Sequence, residues 1–310
     1  MRQPEVVRLT RLLLALVLAF PVLRGAERAL VATAFLAEFS NDAWPTLSAL
    51  TAAPVEQARA SLAGPADAFT PRTVLSPTPL VLVHGATAEG KDDPRARRAA
   101  RLLARAGFDV TLPTIAGLTR GRLRPDDALP VVAAVAAAAR PAIVVAVSVG
   151  SGPAFLAAAD PRVRDRVALV VTLGGYGSAT ELVRFYLTGE YGYGDVSGYR
   201  QHDRELVRAF IAANADIAAD PASAAVLLET LSPVRVARQV AARLLLVHAR
   251  DDAVVPFTES LRLADSGDPE RTTLVIVDVM GHVGAVGEGP DWGALGRLWG
   301  VAYRLMAESI

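Results

Sequence analysis

The sequence predicts an α/β fold with a mostly parallel central sheet flanked by helices. Three observations carry this. From residue 80 onward, apolar runs rich in β-branched residues alternate with helix-forming stretches. One such run, Ile143-Val144-Val145-Ala146-Val147, turns through Ser148-Val149-Gly150 straight into a helix-forming segment. Finally, a serine, an aspartate and a histidine follow three separate runs, in that chain order.

Strands are expected at 80–84, 109–113, 143–147, 168–173, 244–248 and 273–279, most of them nearly continuous in Val, Ile and Leu. That composition suits strands covered on both faces. Helices are expected at about 94–106, 125–139, 152–159 and 257–265, and from Trp292 to the C-terminus. Pro94 and Pro125 suit a first helical turn, where the amide hydrogen has no partner to lose, and Gly107 suits a helix end. Upstream, 55–62 alternates apolar and polar positions, Gly64-Pro65 punctuates, and 66–74 follows, the pattern of a short antiparallel edge.

Between Gly174 and about Gln239 the alternation breaks. The stretch holds helical patterns at 182–187, 204–213 and 221–231 and a Gly/Tyr-rich turn at 189–194. It leaves the strand after the one bearing Ser148, at the carboxyl edge where open α/β sheets bind ligands. A lid over about 175–239 is therefore expected, with a helical subdomain or dimer face as the alternative. The domain reading is a hydrophobic helical segment over 1–40 followed by one domain over 41–310.

In the N-terminal segment, Arg2, Arg8 and Arg11 precede an apolar run over 12–23. The run falls short of the about twenty residues a membrane-crossing helix needs, and Arg24, Glu27 and Arg28 interrupt it. Arg24 also spoils a signal-cleavage site before Ala26. The expectation is membrane contact through residues 8–36, by an uncleaved anchor or an interfacial helix, with a removed signal as an alternative; if the segment inserts, the domain lies extracytoplasmic. A helix packed on the domain or on a partner subunit of a cytoplasmic protein is the alternative.

Composition narrows the chemistry. Lys+Arg and Asp+Glu are equal at 32 each, so no global field draws nucleic acid. The chain has no cysteine, which removes disulfides, thiolate metal sites and a cysteine nucleophile. Its four histidines, at 84, 202, 248 and 282, lack metal-ligand spacing, so no metal is expected.

Ser148 sits where a sharp strand-to-helix turn needs small flanking residues, and Ala146 and Gly150 supply them, Ala146 replacing the first glycine of G-x-S-x-G. A serine hydroxyl needs a base and a group to orient that base. The run over 244–248 leads into Asp251-Asp252, and the run ending near 279 leads into Gly281-His282. His84 and His248, at strand ends, read as structural, and His202 and Asp251 as solvated. Asp278 reads as support for the His282 loop and Ser151 as a helix-start hydroxyl.

Together these pieces resemble the α/β-hydrolase superfamily, in its esterase/lipase or dienelactone-hydrolase-like branch, over roughly residues 55–305. Leu80-Val81-Leu82-Val83-His84-Gly85-Ala86 matches the strand ending in His-Gly before the oxyanion turn. His248-Ala249-Arg250-Asp251-Asp252-Ala253-Val254-Val255-Pro256 matches H-G-x-x-D-x-x-V-P with Ala249 for Gly, and selects Asp252 over Asp251. Gly281-His282 matches the Gly-His of the last loop. The resemblance implies a Ser148, Asp252, His282 triad, oxyanion donors at Ala86 and Val149, and cleavage of a small carboxylic ester or thioester without a cofactor. Phe185, Tyr186, Leu187, Tyr191 and Tyr193 are candidates for an apolar acyl pocket, which a hydrophobic ester would fit. An acyltransferase on the same triad, or a non-catalytic binding module tethered at a membrane, is the alternative.

Overall fold

The structure is a computed structural model describing residues 3–61, 63–201, 204–218, 220–278 and 292–309. In chain order its strands are β1 (Val55–Ser61), β2 (Gly64–Thr70), β3 (Thr78–Val83), β4 (Phe108–Pro113), β5 (Ala142–Val147), β6 (Val167–Leu173), β7 (Glu190–Tyr193), β8 (Val196–Tyr199), β9 (Arg243–Ala249) and β10 (Thr272–Val277). Its helices are α1 (Gln3–Ser40), α2 (Thr46–Leu50), α3 (Pro94–Arg105), α4 (Leu129–Ala137), α5 (Ser151–Ala159), α6 (Ala179–Thr188), α7 (Arg204–Ala213), α8 (Ala215–Ala218), α9 (Pro221–Thr230), α10 (Thr258–Ser266) and α11 (Trp292–Met306).

Eight strands form one sheet in the order β1-β2-β4-β3-β5-β6-β9-β10. The pairs β1/β2 and β2/β4 are antiparallel, and every other neighbour is parallel. Because side chains alternate across a strand, the apolar runs feed two cores. Leu80, Leu82, Ile143, Val145, Leu245 and Val247 face one layer, with α3, α11 and the second half of α1. Val81, Val83, Val144, Ala146, Leu244 and Leu246 face the other, with α4, α5, α10 and the insertion.

The expected strands and helices from residue 80 onward are present to within a few residues. Pro94 opens α3 behind the Asp93 cap, and Pro125 opens a 3-10 turn that leads into α4. Two expectations need correction. Gly64-Pro65 does not punctuate: both residues lie in β2, where Gly64 takes φ +118° and Pro65 pairs with Ala60. The Gly/Tyr-rich stretch over 189–194 is more than a turn, since Glu190–Tyr193 pairs antiparallel with Val196–Tyr199 in a hairpin. Its glycines misled the reading: Gly189 ends α6 at φ +78° and Gly194 makes the hairpin turn at φ +56°.

The insertion is tied down at both ends. The hairpin holds α10, with Tyr193 Oη donating to Asp265 at 3.0 Å and Arg262 donating to the Gly192 carbonyl at 2.9 Å. After α7, Asn214 donates to the Gly121 carbonyl at 2.8 Å, and Asp216 in α8 pairs with Arg122 and Arg124.

The second half of α1 lies on the domain. Glu38 accepts from the Ser48 amide at 2.8 Å, Arg98 donates to the Phe39 carbonyl at 3.2 Å, and Trp299 of α11 donates to Thr33 at 2.9 Å. Among the described residues no helix is long and apolar enough to cross a membrane.

Candidate active site

Ser148 follows β5 directly and opens the short turn into α5. Its backbone takes φ +53°, the one positive value at a non-glycine among the described residues. A left-handed L-residue costs about 1–2 kcal/mol, so it persists only where its surroundings enforce it. They do here. A Cβ on Gly150 would stand 2.5 Å from the His84 carbonyl, and one on Gly85 would stand 3.3 Å from the Ser148 Cβ. The turns after β3 and β5 therefore pack backbone to backbone. Ser148 remains partly exposed, while Val149 behind it is buried.

The turn after β3 is held from below by His84. The Ile115 amide donates to His84 Nε2 at 3.0 Å, so that nitrogen is bare and Nδ1 carries the proton, donating to the Gly85 carbonyl at 2.7 Å. Burial pushes the ring below its ordinary histidine range, against the pull of the Gly85 carbonyl and Asp93. A trans peptide sets its C=O and N–H antiparallel, so fixing the Gly85 carbonyl also fixes the direction of the Ala86 amide. Further along, Thr87 Oγ1 donates to Asp93 at 3.0 Å. Burial works against the Asp93 charge, yet hydrogen bonds from Arg95, Ala96 and Thr87 outweigh it and hold that carboxyl at about 2.

Asp252 lies in the turn after β9, and β9 is separated from β5 by β6 alone. Its Oδ1 accepts from the Val254 and Val255 amides at 2.8 and 3.0 Å. Its Oδ2 lies 3.6 Å from His248 Nε2 and would stand 3.0 Å from a Cβ on Gly174, which takes φ +64°. His248 is wholly buried and doubly bonded: Nε2 donates to the Val255 carbonyl at 2.9 Å, and Nδ1 accepts from Ser260 Oγ at 2.6 Å. Asp251 is exposed, and Asp278 pairs with Arg250 and Arg297 at 2.7 and 3.0 Å.

Ser148, the Gly85-Ala86 turn, Val149 and Asp252 are thus assembled along the carboxyl ends of β3, β5 and β9. His282 and His202 lie outside the described residues. Ser151 does begin α5, but its hydroxyl does not cap it. Ser151 Oγ accepts from the Tyr176 amide at 3.0 Å and ties the loop after β6 to α5. Most of the insertion's aromatics go to packing. Phe185 and Tyr186 are buried, Tyr191 meets Phe185 and Phe257 edge-on, and Leu187 is exposed.

Sequence reasoning missed Glu259, a buried carboxylate that accepts from the Gly177 and Ser178 amides at 3.1 and 2.7 Å. Burial raises its pKa above the usual glutamate value. Its place on the amphipathic α10 carries no sign of those partners, which lie about eighty residues away in the chain.

No protein-family model matches the sequence, and no curated protein matches it. Solved structures do. An acylaminoacyl peptidase from Pyrococcus horikoshii superposes with a TM-score of 0.53 at 16% identity, over 82% of this chain and 40% of the peptidase. This chain thus spans about two-fifths of that protein's length. A dienelactone hydrolase from Anabaena variabilis gives a TM-score of 0.50 at 16% identity, over 84% of this chain and 100% of its own. The esterase domain of a Rhodothermus marinus protein gives 0.51 at 17% identity, over 82% and 96%. With the strand order and the turn at Ser148, these likenesses establish that the chain has the α/β-hydrolase fold.

Proposed function

We propose that the chain is a serine hydrolase that cleaves a carboxylic ester or thioester through Ser148, His282 and Asp252. The observation that carries this reading is the left-handed backbone at Ser148, packed against the Gly85 turn. A serine of purely structural use gains nothing from such strain, whereas a nucleophile gains exposure of its hydroxyl at the rim.

On this reading His282 takes the Ser148 proton as the hydroxyl attacks the carbonyl carbon, then delivers it to the departing alcohol or thiol. Asp252 holds the imidazole and offsets its charge. Its Oδ1 is engaged by two amides, which leaves Oδ2 for the ring. The ends of β5 and β9, two strand spacings or about 10 Å apart, leave room for an imidazole between them. The oxyanion is met by the Val149 amide, at the positive end of α5, and by the Ala86 amide, each worth about 3 kcal/mol in the transition state. Water then resolves the acyl-enzyme.

Treating the purified chain with a fluorophosphonate probe tests this. Labelling of the parent, lost in Ser148→Ala and reduced at least about a hundredfold in His282→Ala, is expected. An inert parent sinks the hydrolase reading and leaves a binding module. Since one structural relative is a peptidase, aryl esters of graded acyl length and the matching anilides, run side by side, separate ester from amide preference.

A further inference from the structure

Two buried tyrosines stand where the insertion leaves the sheet, and they use their hydroxyls differently. Tyr176 donates to the Leu231 carbonyl at 2.9 Å. Tyr186, on α6, is 5% exposed, and its hydroxyl makes no hydrogen bond among the described residues. The ring is enclosed, yet the oxygen keeps a small accessible face. A phenolic O–H set in an apolar cluster normally finds a partner, because leaving the bond unmade costs the full desolvation of the group.

The course of α7 places this hydroxyl. Arg200, where the hairpin ends, donates to the Arg250 carbonyl in the turn after β9 at 3.4 Å. Asn214, just past α7, donates to the Gly121 carbonyl at 2.8 Å and accepts from the Leu123 amide at 3.3 Å, both in the loop after β4. In the sheet, β3, β5 and β6 lie between β4 and β9, a span of about 19 Å. The ten residues of α7 supply about 15 Å of it, so α7 crosses the carboxyl ends of those three strands, the one bearing Ser148 included. Its inner face is Val207 and Phe210, while Arg208, Ala209, Ile211 and Ala212 are exposed. Tyr186 meets Phe210 edge-on, with ring centroids 5.0 Å apart, and so lies beneath α7. Burial pushes the Tyr186 hydroxyl above its ordinary range and the Asp252 carboxylate pushes it further, which keeps it a protonated donor beside the Asp252 turn.

We infer that the Tyr186 hydroxyl donates to a second oxygen of the bound substrate, beyond the scissile carbonyl. The inference rests on the hydrolase reading above and narrows it. The group held under α7 carries a carbonyl, hydroxyl or ether oxygen, with Val207 and Phe210 against its apolar part. A plain alkyl chain would leave the donor unpaired, and a site built around a hydrogen bond discriminates against the analogue that cannot make it.

Ligand-observed NMR titration of the full-length Ser148→Ala chain, which on this reading binds esters without turning them over, tests the inference with two matched pairs. Methyl 4-oxopentanoate against methyl 4-methylpentanoate puts the oxygen on the acyl side, and 2-methoxyethyl acetate against butyl acetate puts it on the alcohol side. In one pair the oxygenated ester should bind about tenfold more tightly, the worth of one hydrogen bond, and adding Tyr186→Phe should abolish that preference. Tyr199→Phe, at an exposed position on β8, should keep it. Tyr186→Phe should not lower the urea midpoint, because the hydroxyl holds nothing within the fold. No preference in either pair, a preference that survives Tyr186→Phe, or a lowered urea midpoint overturns the inference. Fluorophosphonate labelling of the parent keeps the two readings apart. An unlabelled parent with the Tyr186-dependent preference keeps this binding site and removes the hydrolase, whereas a labelled parent without the preference keeps the hydrolase and removes the site.

Discussion

The turn after β3 and the turn after β9 both stand at the sheet edge that carries Ser148, and each is held from inside by a buried histidine. The two rings carry their proton on opposite nitrogens. His84 faces an amide with Nε2 and a carbonyl with Nδ1, so Nδ1 is protonated; His248 faces a carbonyl with Nε2 and a hydroxyl with Nδ1, so Nε2 is protonated. The contrast teaches that a place at a strand end does not by itself set a histidine's tautomer. Its tautomer follows from whichever backbone group the neighbouring loop presents. The turns also differ in how replaceable their bonds are. Both partners of His248 are buried, whereas the Gly85 carbonyl held by His84 sits in a partly exposed turn where water can substitute.

That difference orders the expected effects. His248→Leu strands two buried groups, the Val255 carbonyl and the Ser260 hydroxyl, and should destabilise the fold by about 4 kcal/mol in urea unfolding. His84→Leu strands only the Ile115 amide and should cost about 2 kcal/mol. Equal losses would break the comparison. Glutamine at position 84 should recover part of the loss, because its amide oxygen reaches the Ile115 amide.

Asp93→Ala removes the cap of α3 and one of the two acceptors near Thr87 Oγ1, an expected loss of about 1 kcal/mol. Its pH dependence has a definite sign. A carboxyl held at about 2 against an ordinary 3.8 stabilises the fold above about 3.8, and the contribution fades as pH falls through about 2. The variant should lose that acid-side slope in unfolding curves measured across the range.

The smallest effect falls on the two histidines together. Burial lowers both pKa values, so the unfolded chain takes up protons first as pH drops below about 6.5. Stability is full above that pH, declines below it, and levels off once the folded-state values are passed. His84→Leu and His248→Leu should each flatten part of the decline. Long-range proton–nitrogen correlation spectra sharpen the comparison directly, and the same tautomer at both rings would refute it.

Much of this was legible in the chain. Most of the six parallel strands were readable because burial on both faces leaves a nearly unbroken apolar run, as in Ile143-Val144-Val145, whereas β4, Phe108–Pro113, alternates. Ser148 stood out because a strained turn tolerates only small neighbours, and Gly150 proves to lie against the His84 carbonyl. The hairpin over 190–199 was hidden, since glycines that end a helix and glycines that turn a hairpin look alike in sequence. The aromatics of the insertion gave no sign of whether they would line a pocket or pack against α10.

Local pattern by itself determined the parallel strands of the main sheet, most of the helices and the order of the chemically competent residues, because each depends on spacing within one short segment. Tertiary structure alone decided which nitrogen of each buried histidine is protonated, that Ser151 serves Tyr176 rather than its own helix, and that α1 and α11 meet at Thr33 and Trp299. Each of these depends on a partner far away in the chain, and a hydrogen-bonding group carries no mark of its distant partner until the fold brings the two together.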